Sequence, residues 1–154
     1  CDAEWRSAPG ELPCPGADSD AEGFVIRLNS PKLENGITDN EAALETHPQW
    51  VNNGVITGTY PAFNVKAGDH FKAVIGCLNN GAECNVRFQL NYRADGGALA
   101  NLGQWDQTYD GSIQKLDVDL SSLAGKSVEF TLAVLSNGSS GQDWAFWLQP
   151  RIVR

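Results

Sequence analysis

Apolar and polar residues alternate through the centre of the chain. Phe71, Ala73, Ile75 and Cys77 take every second position, and after Leu78-Asn79-Asn80-Gly81-Ala82-Glu83 the alternation resumes at Cys84, Val86, Phe88, Leu90 and Tyr92. A period of two marks a strand with one buried face, so the two runs are read as a β-hairpin closed across Asn80-Gly81. Each cysteine falls on the apolar register of its own strand. That puts both sulfurs on one face near one end and predicts a Cys77–Cys84 disulfide.

The same period recurs further on. Leu116, Val118 and Leu120 alternate with Lys115, Asp117 and Asp119, and Val128, Phe130, Leu132 and Val134 alternate with Glu129, Thr131 and Ala133. Phe24-Val25-Ile26-Arg27-Leu28 is a short β-rich run ended by Asn29-Ser30-Pro31, and Gly54 to Tyr60 has strand character too. In the last run, Trp144, Phe146 and Leu148 fall on one side and Ala145, Trp147 and Gln149 on the other. Both sides carry a large ring, so either this strand is covered on both faces or one of Trp144 and Trp147 is exposed for contact. The stretch up to Asn53 is loop-like, with one helical turn near Glu41 to Leu44. Residues 1–22 lack any apolar period and read as an irregular arm closed by a Cys1–Cys14 link, ahead of one domain over residues 23–154. Short strands with one polar face, separated by turns, predict an all-β antiparallel sandwich or jelly roll.

Composition narrows the function classes. The 154 residues include 16 Gly and 7 Pro, which suits tight turns, and the net charge of −8 would repel phosphates, so nucleic acid and anionic membranes are poor partners. No apolar run approaches the roughly 18–20 residues of a membrane span, and Cys1-Asp2-Ala3-Glu4-Trp5 lacks the parts of a signal peptide, so the chain reads as already processed. The four cysteines lack metal-type spacing and fit disulfides. Cys1 has a second reading as the lipidated residue of a bacterial lipoprotein. Either places the protein outside the reducing cytosol.

Catalytic parts are scarce. His47 and His70 are the conventional bases available, and no nucleophile elbow or phosphate-binding loop occurs. Asp117 and Asp119 share a strand face, but alternating acids between core residues describe a solvated face rather than a carboxylate pair with one raised pKa. Asp18-Ser19-Asp20-Ala21-Glu22-Gly23 has the alternate oxygens of a calcium loop. Its twelfth position is Asn29, not Glu, so a structural calcium site stands against an acidic, solvated loop. No other cofactor is indicated. Asn137-Gly138-Ser139 is a glycosylation acceptor motif.

Aromatic and amide side chains are the remaining vocabulary. A sugar ring offers a C–H face to an aromatic ring and hydroxyls to polar side chains. Trp105 and Tyr109 lie in Gln104-Trp105-Asp106-Gln107-Thr108-Tyr109-Asp110 and in an extended segment point the same way, while Arg87 and Gln89 belong to a row of outward polar positions. The run Leu116-Asp-Val-Asp-Leu-Ser-Ser-Leu-Ala-Gly-Lys126, the apolar strand after it and Asp143-Trp-Ala-Phe-Trp-Leu-Gln-Pro-Arg-Ile152 together resemble the end of galactose-binding-like jelly-roll domains. They are similar to carbohydrate-binding modules of the NPCBM type. That resemblance implies Ala145 and Trp147 inward, Trp144 more exposed, and Asp143 beside the binding or calcium-bearing end. The N-terminal hundred residues depart from its pattern.

The expected function is non-catalytic binding of a polysaccharide or glycan by a secreted domain, with Trp105, Tyr109, Trp144, Asp143, Arg87 and Gln89 as the contact set. The alternative is a structural subunit of a surface assembly, adhesin or filament, in which the arm or exposed edge strands pair with another copy.

Overall fold

The computed structural model describes all 154 residues, Cys1 to Arg154. Twelve strands form two antiparallel sheets. One sheet runs in the order β2 (Gly10–Leu12), β1 (Glu4–Ser7), β5 (Val55–Thr59), β11 (Ser127–Ser136), β8 (Asn85–Ala94) and β9 (Ala100–Thr108), with the short β6 (Phe63–Asn64) also on β11. The other runs β10 (Gln114–Asp119), β7 (His70–Cys77), β12 (Ala145–Val153), β4 (Ala43–His47) and β3 (Phe24–Leu28). The sandwich predicted from alternation is present, and both expected disulfides are formed.

The inward positions are those the alternation marked. Val86, Phe88 and Leu90 of β8 pack with Val128, Leu132 and Val134 of β11 and with Ile75 and Trp147 of the facing sheet. Trp147 meets Phe88 edge-on at 5.0 Å between ring centroids. Full burial of each such side chain contributes roughly 1.5–3 kcal/mol, so this layer is the main source of stability.

Pairing is where the structure departs from the sequence reading. β7 and β8 do not form a hairpin: β7 pairs with β10 and β12, and β8 pairs with β11 and β9 in the opposite sheet. The segment from Leu78 to Cys84 arches from sheet to sheet, and the Cys77–Cys84 disulfide, buried at both ends, ties the two sheets together. Alternation reports which side of a strand is buried, and a facing sheet satisfies it as well as a neighbouring strand does.

Three other segments differ. Residues 4–12, expected as part of an irregular arm, form the β1–β2 hairpin, which joins the sheet through β5 and buries Trp5. Where a helical turn was expected, Ala43 opens β4. Segment 29–42, expected as open loop, lies over the outer face of the smaller sheet, so that Leu33 packs with Ala43, Leu78, Phe146 and Leu148 in a second apolar cluster. β12 is thereby covered on both faces, which explains its two rows of large residues.

A buried polar knot fixes that segment. Glu34 accepts at Oε1 from the Cys77 N–H (2.8 Å) and Gln107 Nε2 (2.6 Å), and at Oε2 from the N–H groups of Asp110 (2.8 Å) and Gly111 (3.1 Å). Burial pushes its pKa up against those four donors.

Candidate functional site

The loops joining the strands at the Cys77 end are tied to one another. Asn53 donates its N–H to the Gly138 carbonyl (2.7 Å), and its side-chain oxygen accepts the Gly138 N–H (3.1 Å). Glu83 N–H donates to Gln142 Oε1 (3.0 Å), and Asn137 Nδ2 donates to Asn85 Oδ1 (3.1 Å). Loop backbone held this way can present side chains in fixed positions, which is what a binding surface needs.

Trp50 stands on this end. It follows β4 in the turn Pro48 to Gly54, where its N–H donates to the Ala21 carbonyl (3.0 Å). Its indole lies parallel to the buried His47 imidazole, with centroids 4.1 Å apart and planes 13° apart, and His47 in turn stacks on Phe24 at 5.4 Å. His47 Nδ1 donates to the Pro48 carbonyl at 2.6 Å. Burial lowers the His47 pKa, with the carbonyls of Pro48 and Ser140 acting against it. Trp50 remains 42% exposed, the largest exposed apolar side chain of the molecule. A ring supported on one face and open on the other is a stacking platform. Exposed Asn52 and Ser139 belong to the same tied loops and carry hydrogen-bonding groups.

The contact set expected from sequence does not come together. Trp105 pairs in register with Phe88 and faces inward at the β9 edge, whereas Arg87 and Gln89 point outward, opposite Asp106 and Gln104. Tyr109 also packs against the core, and its hydroxyl accepts the Asn80 N–H (3.1 Å). Trp144 leans on the second apolar cluster, outside the smaller sheet. Asp143, expected beside a ligand, is fully buried; it accepts the Asn85 N–H (2.9 Å) and burial raises its pKa. In this position Asp143 braces the loops. Ala145 and Trp147 are buried in the main core, and Trp144 is more exposed than either.

Outward polar residues on the larger sheet are engaged with one another. Arg87 reaches both oxygens of Asp106 (2.9 and 3.2 Å), which holds the Asp106 carboxyl below its ordinary range, and Gln89 bonds Gln104 and Asn91. No ring stands among them. On the smaller sheet, Asp117 accepts from His70 Nδ1 (2.7 Å) and lies near Lys72, so its pKa is lowered, the opposite of what a general acid needs. The Asp18–Gly23 oxygens form no cage: Asp20 is taken by the Glu22 N–H, and no three His, Cys, Asp or Glu side chains cluster to hold a metal ion.

Trp50 was missed in the sequence because it lies in no periodic run. Its one legible trait is a large ring between Pro48 and Gly54, where a core residue has no strand to carry it.

No family model matches the chain, and no curated protein matches it in sequence. Solved structures do match. TmCBM61, in complex with beta-1,4-galactotriose, gives a TM-score of 0.59 over 97% of this chain and 88% of its own, at 16% identity. CBM51 from Clostridium perfringens GH95, in complex with methyl-galactose, gives 0.56 over 80% and 79%, at 19% identity. The fold is that of the β-sandwich carbohydrate-binding modules. The CBM22-1 xylan-binding domain from Paenibacillus barcinonensis Xyn10C has it too, with a TM-score of 0.52 over 97% of this chain and 84% of its own, at 12% identity. The resemblance carried by Leu116 to Ile152 agrees at the level of fold. At such low identities the likeness is one of fold, and what this chain does has to be argued from its own residues.

Proposed function

We propose that this chain is a non-catalytic carbohydrate-binding module that works outside the cytosol and takes a neutral glycan on the Trp50 platform. The observation that carries this is the one-sided stack of Trp50 on His47: the lower ring favours one plane for the upper, so less side-chain entropy has to be lost when a sugar settles on it. Exposed Asn52 and Ser139, in the loops tied through Asn53 and Gly138, carry groups able to hydrogen-bond sugar hydroxyls. The two disulfides favour an oxidising compartment.

The test is a titration of the folded protein with methyl-galactose, β-1,4-galactotriose and xylo-oligosaccharides, before and after Trp50→Ala. Loss of an aromatic stacking partner is expected to weaken binding at least about tenfold while the melting temperature stays within a few degrees. Unchanged affinity in Trp50→Ala removes the platform assignment, and failure to bind any glycan removes the function.

A further inference from the structure

A cavity lies away from the Trp50 loops, where β1 of one sheet faces β3, β4 and β12 of the other. It has a volume of about 690 Å³ and is lined among others by Asp2, Arg27, Tyr60, Gln149 and Arg151. Tyr60, Pro150 and Arg151 also border an adjoining apolar groove of about 310 Å³ that reaches Phe63 and Phe130.

Two independent features set this cavity apart. The first is backbone. β12 pairs with β7 up to Leu148↔Val74, then shifts register and resumes at Arg151↔Lys72. Gln149, inside the bulge, has φ of 45°, a left-handed conformation that glycine adopts freely and glutamine does not. Its N–H is held by the Ala42 carbonyl (3.1 Å), and its own carbonyl accepts from Arg151 Nη1 (2.9 Å). The bulge breaks the alternation, so that consecutive residues Gln149, Pro150 and Arg151 all border one cavity. A residue kept at a strained position on the wall of a cavity points to use.

The second is charge. Arg6, Arg87 and Arg154 are paired with carboxylates. Arg27 and Arg151 have no carboxylate within ion-pair distance, although Asp2 borders the same cavity and the chain carries net charge −8. Arg93, the remaining arginine, donates to the Gly97 carbonyl on another surface. Two guanidinium groups against one carboxylate leave this cavity locally positive on an acidic protein.

We infer that the cavity between β1 and β12 binds a carboxylated sugar, a uronic acid residue of an acidic glycan, through Arg27 and Arg151. Guanidinium groups match the planar carboxylate. Gln149 and Asp2 face hydroxyls, and the Tyr60 ring with Pro150 offers an apolar wall for the C–H face. This site is separate from the Trp50 platform and does not depend on it.

The experiment compares a galacturonic acid trisaccharide with neutral β-1,4-galactotriose by isothermal titration. Arg27→Ala and Arg151→Ala are each expected to weaken the acidic trisaccharide about tenfold or more, the loss of a charge-assisted hydrogen bond, and to leave the neutral one unchanged. Lys115→Ala, the same charge change on an exposed strand residue elsewhere, is expected to alter neither. Gln149→Gly is expected to raise the melting temperature while weakening the acidic trisaccharide. The inference is overturned if the acidic trisaccharide does not bind, if both arginine variants bind it as wild type does, if they weaken both sugars alike, or if Lys115→Ala weakens it as much. Neutral binding lost in Trp50→Ala, with no uronate binding, would leave the platform standing and remove only this cavity.

Discussion

Trp5 lies flat against Gly58. The two are paired across β1 and β5, and a Cβ at position 58 would come within 2.7 Å of several indole atoms. Glycine is needed there for close approach, not for an unusual backbone angle. Gly58→Ala is therefore expected to push the indole out of the core and to destabilise the protein by about 1–3 kcal/mol, the usual cost of overpacking. Urea unfolding, with proteolysis of the β1–β2 hairpin as a local readout, checks this; a midpoint unchanged from wild type would contradict it.

Glu34→Ala should be among the most damaging substitutions. It strips four donors of their acceptor, three of them backbone N–H groups, where water has poor access. Each buried donor left without an acceptor costs about 1–3 kcal/mol, so a loss of several kcal/mol is expected. Glu34→Gln keeps the shape and one acceptor oxygen but turns an amide NH2 toward donors, so an intermediate loss is expected. Equilibrium denaturation of the two variants beside wild type orders them.

Glu45 sits on the outer face of the smaller sheet, opposite Phe146, where burial and, to a lesser degree, Asp18 push its pKa from 4.5 up to about 7. A carboxyl whose folded pKa is raised contributes stability below its unfolded pKa, and that stability is lost as pH rises through the folded value. Glu45→Gln is thus expected to leave the melting temperature alone near pH 4 and to raise it at pH 8. After discounting for partial contact with water, the gain is on the order of 1 kcal/mol. His47 acts in the opposite sense: its lowered pKa gives stability that is full above 6.5 and lost as pH falls below it. Melting curves of Glu45→Gln and wild type at pH 4, 6 and 8 isolate the carboxyl from the imidazole.

His47 does not reach the open face of Trp50, so its effect on glycan binding is one of support. His47→Ala removes the lower ring and is expected to cost several-fold in affinity, whereas His47→Phe keeps a flat ring in place and should restore most of it. Titration well below the melting temperature of each variant distinguishes support from a general loss of fold, which would not be rescued by phenylalanine.

Much of the sandwich is legible in the alternation, because a period of two is imposed by the backbone itself and survives whatever the strand packs against. Val86, Phe88 and Leu90 face the core for that reason, and so do Val128, Leu132 and Val134. The strands that the alternation does not mark are those where it is too short or is broken: β1, β2 and β6 have four, three and two residues, β4 shares both of its faces with other apolar groups, and β9 shifts register against β8 partway along.

The candidate site was less legible. Trp105 was expected beside Arg87 and Gln89, but adjacent β-strand positions point to opposite faces, and only the pairing of Phe88 with Trp105 fixes which face each takes. Trp50 stacks on a residue only three positions away, but it lies in a turn with no period to show which way its ring faces, and Arg27 and Arg151 come to one cavity across a long sequence separation, where local pattern carries no information.

The sequence by itself determined an all-β chain, its inward-facing rows and the two cysteine pairs, since each follows from side-chain periodicity or from counting. Only the tertiary structure decided that Cys77 and Cys84 staple one sheet to the other, that Asp143 is interior, and that Trp50 is left open on His47. Those depend on which strands become neighbours, a choice made by the whole core at once.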